Sequence, residues 1–148
     1  MQQPQQGGPI YNCVLADGTG TAGPRLTAWF QAWASSQGIA LEPGTLNLCA
    51  DRDVLPPSRF LSLRPWDAAL QLQFRKQQTG YDPRLYPIVL EGSQRAWLFR
   101  WSHLTDLHNF VGDTPSCTRL RRCEVIAEVN LTNLWNLNVG STLSLLFA

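Results

Sequence analysis

Lysine is almost missing from this chain. Lys76 is the single lysine among 12 basic residues, and no glycine-rich run precedes it, so the G-x-x-x-x-G-K-[ST] phosphate loop is excluded. Phosphate chemistry, if present, must rest on backbone amides, arginines or a metal. An excess of either charge is missing too: 12 basic residues against 11 acidic ones leave a formal charge of +1. That excludes the basic surplus with which proteins grip nucleic acid. No segment approaches the roughly 18 apolar residues of a membrane-crossing helix. The lead Met1-Gln-Gln-Pro-Gln-Gln-Gly-Gly-Pro9 has neither the positive charge nor the apolar core of a secretory signal. The expectation is a cytoplasmic protein with no nucleic-acid or membrane partner. Histidine is scarce, at His103 and His108, and the cysteines at 13, 49, 117 and 123 lack CxxC spacing, so a structural zinc site has little support. Four cysteines allow two disulfides. In a chain long enough to bury a core without staples, they read instead as small buried or half-buried residues.

What is present fits one domain: 148 residues, 44% hydrophobic and 16% charged, can fill one core and not two. Residues 1–8 are a Gln/Gly/Pro-rich lead expected to be disordered, and residues 9–148 form the domain. Pro24 suits a first helical position, and Leu26, Trp29, Phe30 and Trp33 recur at three- and four-residue spacing. This predicts the one main helix, ending at Gln37 with Gly38 as its cap. Short strands are expected at Ile10–Ala16, Leu46–Ala50, Ala69–Phe74, Tyr86–Glu91, Gln94–Trp101, Cys123–Val129 and Thr142–Phe147. Glu91–Gln94 reads as a hairpin turn and Leu131–Trp135 as a short helical turn. Many short strands without βα alternation predict an all-β barrel, so the glycine loop after the first strand is no dinucleotide fingerprint.

Three features carry possible chemistry. Gly18-Thr19-Gly20-Thr21-Ala22-Gly23 lies between a strand and a helix start. There, small residues let amides close around a diphosphate and the threonine hydroxyls add donors; such turns also occur where nothing binds. Thr45 and Asn47 project from one face of a strand whose other face carries Leu46 and Leu48. A hydroxyl and an amide carbonyl are hard ligands suited to Mg²⁺, while an ordinary half-exposed strand gives the same pattern. Glu124 shares a strand face with Ile126 and Glu128, and a carboxylate opening into a barrel mouth could take a proton from a substrate hydroxyl. A solvated strand residue is the alternative. Trp97, Phe99 and Trp101 form an aromatic stripe read as core. Arg119, Arg121 and Arg122 form the one basic cluster, read as an exposed loop with a phosphate-facing role as the alternative.

Taken in order, Gly18-x-Gly20-x-Ala22, Gly44-Thr45-Leu46-Asn47-Leu48, Cys123-Glu-Val-Ile-Ala127 and Asn136-Leu-Asn-Val-Gly140 resemble the CTP-dependent riboflavin kinases known chiefly from archaea. The similarity runs over about residues 10–147. It implies a compact six-stranded cradle-loop barrel that transfers the γ-phosphoryl group of CTP to the ribityl hydroxyl of riboflavin, giving FMN and CDP with Mg²⁺. By position it implies that Gly18, Thr19, Gly20, Thr21, Ala22 and Gly23 line the nucleotide phosphates and that Thr45 and Asn47 hold the metal. Glu124, with Ser116 or Thr118, would contact the flavin, Glu124 also serving as base. Val129, Asn130, Leu131 and Thr132 would lie beside the cytidine. Where the family carries a basic residue in that last segment, this chain has Asn130 and Thr132. A non-catalytic nucleotide- or flavin-binding module on the same barrel is the second expectation, and a protein-interaction role the third. The sequence sets no oligomeric state.

Overall fold

Alternation with a period of two makes the barrel wall, because successive strand residues point to opposite faces. The computed structural model describes residues 8–16, 31–42, 46–63, 83–101 and 117–148. Its strands are β1 (Ile10–Leu15), β2 (Leu46–Ala50), β3 (Leu61–Ser62), β4 (Pro83–Leu90), β5 (Gln94–Trp101), β6 (Arg122–Ile126) and β7 (Thr142–Phe147). All pairings are antiparallel, in the order β3-β4-β5-β6-β2-β1-β7, and β4 also pairs with β7. Six strands thus close into a barrel, with β3 attached outside the ring to the first half of β4. The expected all-β barrel is the observed architecture. The strand expected at 69–74 and the first part of the main helix, residues 24–30, lie outside the described residues.

The interior is apolar. Tyr11, Cys13 and Leu15 of β1, Leu48 and Ala50 of β2, Ile88 and Leu90 of β4, Leu98 of β5, Val125 of β6 and Leu145 of β7 pack in one buried cluster. Each fully buried aliphatic side chain of this kind contributes about 1.5–3 kcal/mol by leaving water. Pro87 sits inside β4, where a proline cannot donate to a ladder. It falls where β4 exchanges one partner for another: Arg84 and Leu85 pair with β3, and Ile88 to Leu90 pair with β7. Its carbonyl accepts from the Ala148 N–H at 3.0 Å.

Residues 31–36 are helical and form α1. Gly38 has φ of 73°, the left-handed conformation that ends helices cheaply only when no Cβ is present. The Gly38 N–H donates to Ser35 and the Ile39 N–H to Ala34, which is the Schellman pattern. Between β4 and β5, Glu91 and Gly92 both have positive φ, 51° and 77°, as a type I′ hairpin turn requires. A second helix, α2 (Leu131–Leu134), is capped by Asn130, whose side chain accepts from the Asn133 N–H.

Among the described residues, one interior position is charged. Arg100 follows Ala96 and Leu98 in the inward phase of β5 and is 2% exposed. Its Nη1 donates to the Val54 carbonyl at 3.0 Å, and its Nη2 to the Arg122 carbonyl at 2.8 Å and the Leu120 carbonyl at 3.4 Å. The guanidinium closes one end of the barrel by satisfying three backbone acceptors, and its burial lowers its pKa. Arg121 reinforces this end, its Nε donating to the Ala50 carbonyl at 2.8 Å. An apolar replacement would take a donor from each of these carbonyls, of which Leu120 alone is shown to keep another, the Val54 N–H at 2.8 Å, and depriving a buried acceptor is the costly half of losing a hydrogen bond. Arg100→Met should therefore lower stability by about 3 kcal/mol, read from urea unfolding midpoints; a midpoint equal to the wild type's would exclude this sealing role.

Candidate functional site

The outward faces of β2 and β6 bring the polar candidates together. Asn47 pairs with Glu124 and Cys49 with Arg122 across the two strands, while Phe99 of β5 pairs with Glu124 on its other side. Directly opposite residues place their Cβ atoms about 4.5–5.5 Å apart. Two motifs 77 positions apart in the chain, by the numbering 124 against 47, thus meet on one patch. The stem of the glycine loop meets them: the Ala16 N–H donates to the Asn47 carbonyl at 2.9 Å.

The expected setting of Glu124 needs correction. Instead of opening into a barrel mouth, it lies on the outward side of the wall and is 2% exposed. Cys123 and Val125 occupy the inward phase, and a period of two sends residue 124 the other way. The outward side is nevertheless covered: Leu85, Trp97, Phe99 and Ile126 are buried there, and Trp33 of α1 meets Trp97 edge-on at 5.2 Å. The aromatic stripe is core as expected at Trp97 and Phe99. Glu128 is exposed and pairs with Arg95.

The basic cluster also differs from an exposed loop. Arg119–Arg121 is a 3-10 turn, Arg121 is half-buried, and Arg122 opens β6 at 5% exposure. In the patch, Asn47 Oδ1 and Arg122 Nε are buried without hydrogen bonds.

Cys49 and Cys117 are joined in a disulfide, contrary to the reading of all four cysteines as unlinked small residues. Sixty-eight positions separate them, and no local spacing signals a pairing of that range. Cys49 is in the outward phase of β2, so the bridge holds residue 117, and with it exposed Thr118, against the same face as Asn47 and Arg122. Cys13 and Cys123 are free and buried. The hydrogen bond with Cys123, then burial, push the Cys13 thiol far above the ordinary thiol range, which keeps it neutral.

Other candidates fall nearby or outside. Val129, Asn130 and Thr132 are exposed and Leu131 is buried. They follow β6 at the barrel end where β2 begins and β1 finishes, and Asn130 also donates to Glu42 at 3.4 Å. Gly18, Thr19, Gly20, Thr21, Ala22, Gly23, Thr45 and Ser116 lie outside the described residues. A cavity of about 560 Å³ is lined by Glu91, Ser93, Trp135, Leu137 and neighbouring residues, and none of the sequence candidates contributes to it.

As to Mg²⁺, the described residues contain no group of three or more His, Cys, Asp or Glu side chains able to hold a metal. A smaller donor set is present in the Asn47 Oδ1, buried without a partner, and the Glu124 carboxylate opposite it. Both are hard oxygens, and Mg²⁺ retains waters and substrate oxygens around a few protein ligands, so this pair fits the ion. Among the described residues no helix is long and apolar enough to cross a membrane.

Because Asn47 Oδ1 is desolvated for no hydrogen bond, Asn47→Ala should change stability by less than about 1 kcal/mol or raise it, checked by thermal melting; a large loss would mean that Asn47 is a structural residue. The two free thiols should resist a thiol reagent in the native protein. Unfolding without reductant should expose two reactive thiols, and unfolding after reduction four. No protein-family model matches the chain, and no curated protein matches it.

Proposed function

We propose that the protein is a Mg²⁺-dependent phosphotransferase of the riboflavin kinase type, with CTP as donor and riboflavin as acceptor. The observation that carries this reading is the meeting of Asn47, Glu124 and the glycine-loop stem on one face of a closed six-stranded barrel. Phosphoryl transfer needs positioning and neutralisation of charge more than a covalent nucleophile, and that suits a chain with almost no lysine.

In this reading Asn47, Glu124 and Thr45 hold the ion, which when bound neutralises charge on the phosphate oxygens. Glu124 orients the ribityl hydroxyl and accepts its proton as the hydroxyl oxygen bonds to the γ-phosphorus. The bond from that phosphorus to the β-phosphate oxygen breaks, and CDP leaves. The amides of Gly18–Gly23 cradle the remaining phosphates. Thr118 and Ser116 contact the flavin from the segment tethered at Cys117, and Val129–Thr132 flank the cytidine.

One observation favours the second reading, a binding module without turnover: Glu124 is 2% exposed, whereas a general base must reach the hydroxyl it deprotonates. A cytoplasmic location belongs to the kinase reading. The Cys49–Cys117 disulfide stands against it in a reducing compartment, where structural disulfides are uncommon outside hyperthermophiles.

Incubation with riboflavin, Mg²⁺ and each nucleoside triphosphate in turn, followed by chromatography, should yield FMN, most rapidly with CTP. Asn47→Ala should lose that turnover while keeping the wild-type fold. Absence of FMN with every donor excludes the kinase, and calorimetric flavin or nucleotide binding indifferent to Mg²⁺ would then establish the module.

A further inference from the structure

We propose that Arg122 is the phosphate-recognising side chain of the Asn47–Glu124 face, and that it makes this site prefer phosphorylated ligands over their unphosphorylated counterparts. The inference rests on reading that face as a ligand site.

The two buried arginines differ in their surroundings. Arg100, whose Nε is also buried without a partner, turns both of its Nη groups to three backbone carbonyls, whereas among the described residues no such anchoring holds Arg122. Arg122 is 5% exposed, its Nε is buried without a hydrogen bond, and it belongs to neither the Arg52–Asp51 nor the Arg95–Glu128 ion pair. A buried cation that lacks an anionic partner is costly to the fold. Such a group marks a place where an anion completes the structure.

Position identifies the anion. Arg122 and Glu124 share the outward face of β6, two residues or about 6.6 Å apart along the strand. Asn47 lies across from Glu124, with its Oδ1 also buried and without a partner. The face therefore presents hard oxygens at one level and a forked guanidinium at the next. A phosphate monoester matches both, taking the guanidinium fork with two of its oxygens at once and meeting the hard oxygens through a shared Mg²⁺. A neutral hydroxyl offers only one oxygen to the fork and brings no charge to offset the guanidinium's. The backbone at residue 122 is anchored, because its carbonyl accepts from Arg100 at 2.8 Å, so the recognising group stands on a rigid element. The phosphate could belong to the flavin product or to the nucleotide, and the chemistry is the same.

Binding of two ligand pairs separates these sources: FMN against riboflavin by flavin fluorescence, and CDP against cytidine by calorimetry, on the full chain with Mg²⁺ present. The wild type should bind the phosphorylated member of at least one pair about tenfold tighter or more. In Arg122→Gln that ratio should fall about tenfold for the pair whose phosphate Arg122 holds, with the affinity for the unphosphorylated member unchanged, and the pair that falls identifies that phosphate. Should the glutamine variant fail to fold by circular dichroism, Arg122→Lys supplies the reading, with a ratio below the wild type's because ammonium lacks the fork. An unchanged ratio in the folded variant overturns the role of Arg122 and leaves the kinase reading standing. A wild type that binds none of the four ligands overturns both.

Discussion

Closure of the ring by the β4–β7 ladder is the constraint on which the remaining structure depends. Ile88, Val89 and Leu90 pair with Phe147, Leu146 and Leu145, joining two strands that would otherwise be open edges and templates for association. Six is an even number, so every neighbour around the ring can be antiparallel, as every one is. With the ring shut, the described residues of the interior form a core of aliphatic and aromatic side chains. The polar candidates Asn47 and Glu124 lie on the outward face instead.

The two ends and two faces of the wall have different tasks. At one end a guanidinium binds three carbonyls and fixes the start of β6; at the other, the first turn of α2 and the stem of the glycine loop converge on β2. Between them the outward face of β2 and β6 carries polar groups that the fold alone does not satisfy. Asn47 Oδ1 and Arg122 Nε cost stability without returning a hydrogen bond, and such local inconsistencies concentrate where a protein acts on a ligand. The cost is tolerable because the barrel beneath is held by ladders and apolar burial that do not involve these atoms.

Most of the wall was legible as sequence, since alternation and turn residues are local signals. Leu46–Ala50, Gln94–Trp101 and Thr142–Phe147 are observed with the expected bounds. Gly38 and the Glu91-Gly92 turn stop or reverse the chain where their conformational freedom suggests. β4 starts three residues earlier than expected because its prolines, poor ladder members in general, occupy positions without a required donor. β3, only two residues long, carries too little pattern to detect. In the candidate site, the shared face of Asn47 and its phase against Leu48 followed from a period of two. The partnership with Glu124 did not, because strand order is a property of the closed ring. Arg100 and Arg122 were illegible for a related reason: a charge reads as solvated until the structure shows two covered faces on one strand.

The disulfide between Cys49 and Cys117 has a topological effect separate from its place beside the candidate site. It makes residues 49–117 a covalent ring that contains all of β3, β4 and β5, so a hairpin and its attached edge strand are hung from β2 at a fixed point. A backbone cut at any single bond within that ring would leave two pieces still joined as one molecule until the sulfur link is reduced. Residues 49–117, nearly half of the chain, can thus tolerate nicking, whereas a cut between β1 and β2 or between β6 and β7 would sever β1 or β7 from the rest. Of the two strands that close the barrel, β4 therefore has a second tether, while β7 depends on an intact backbone.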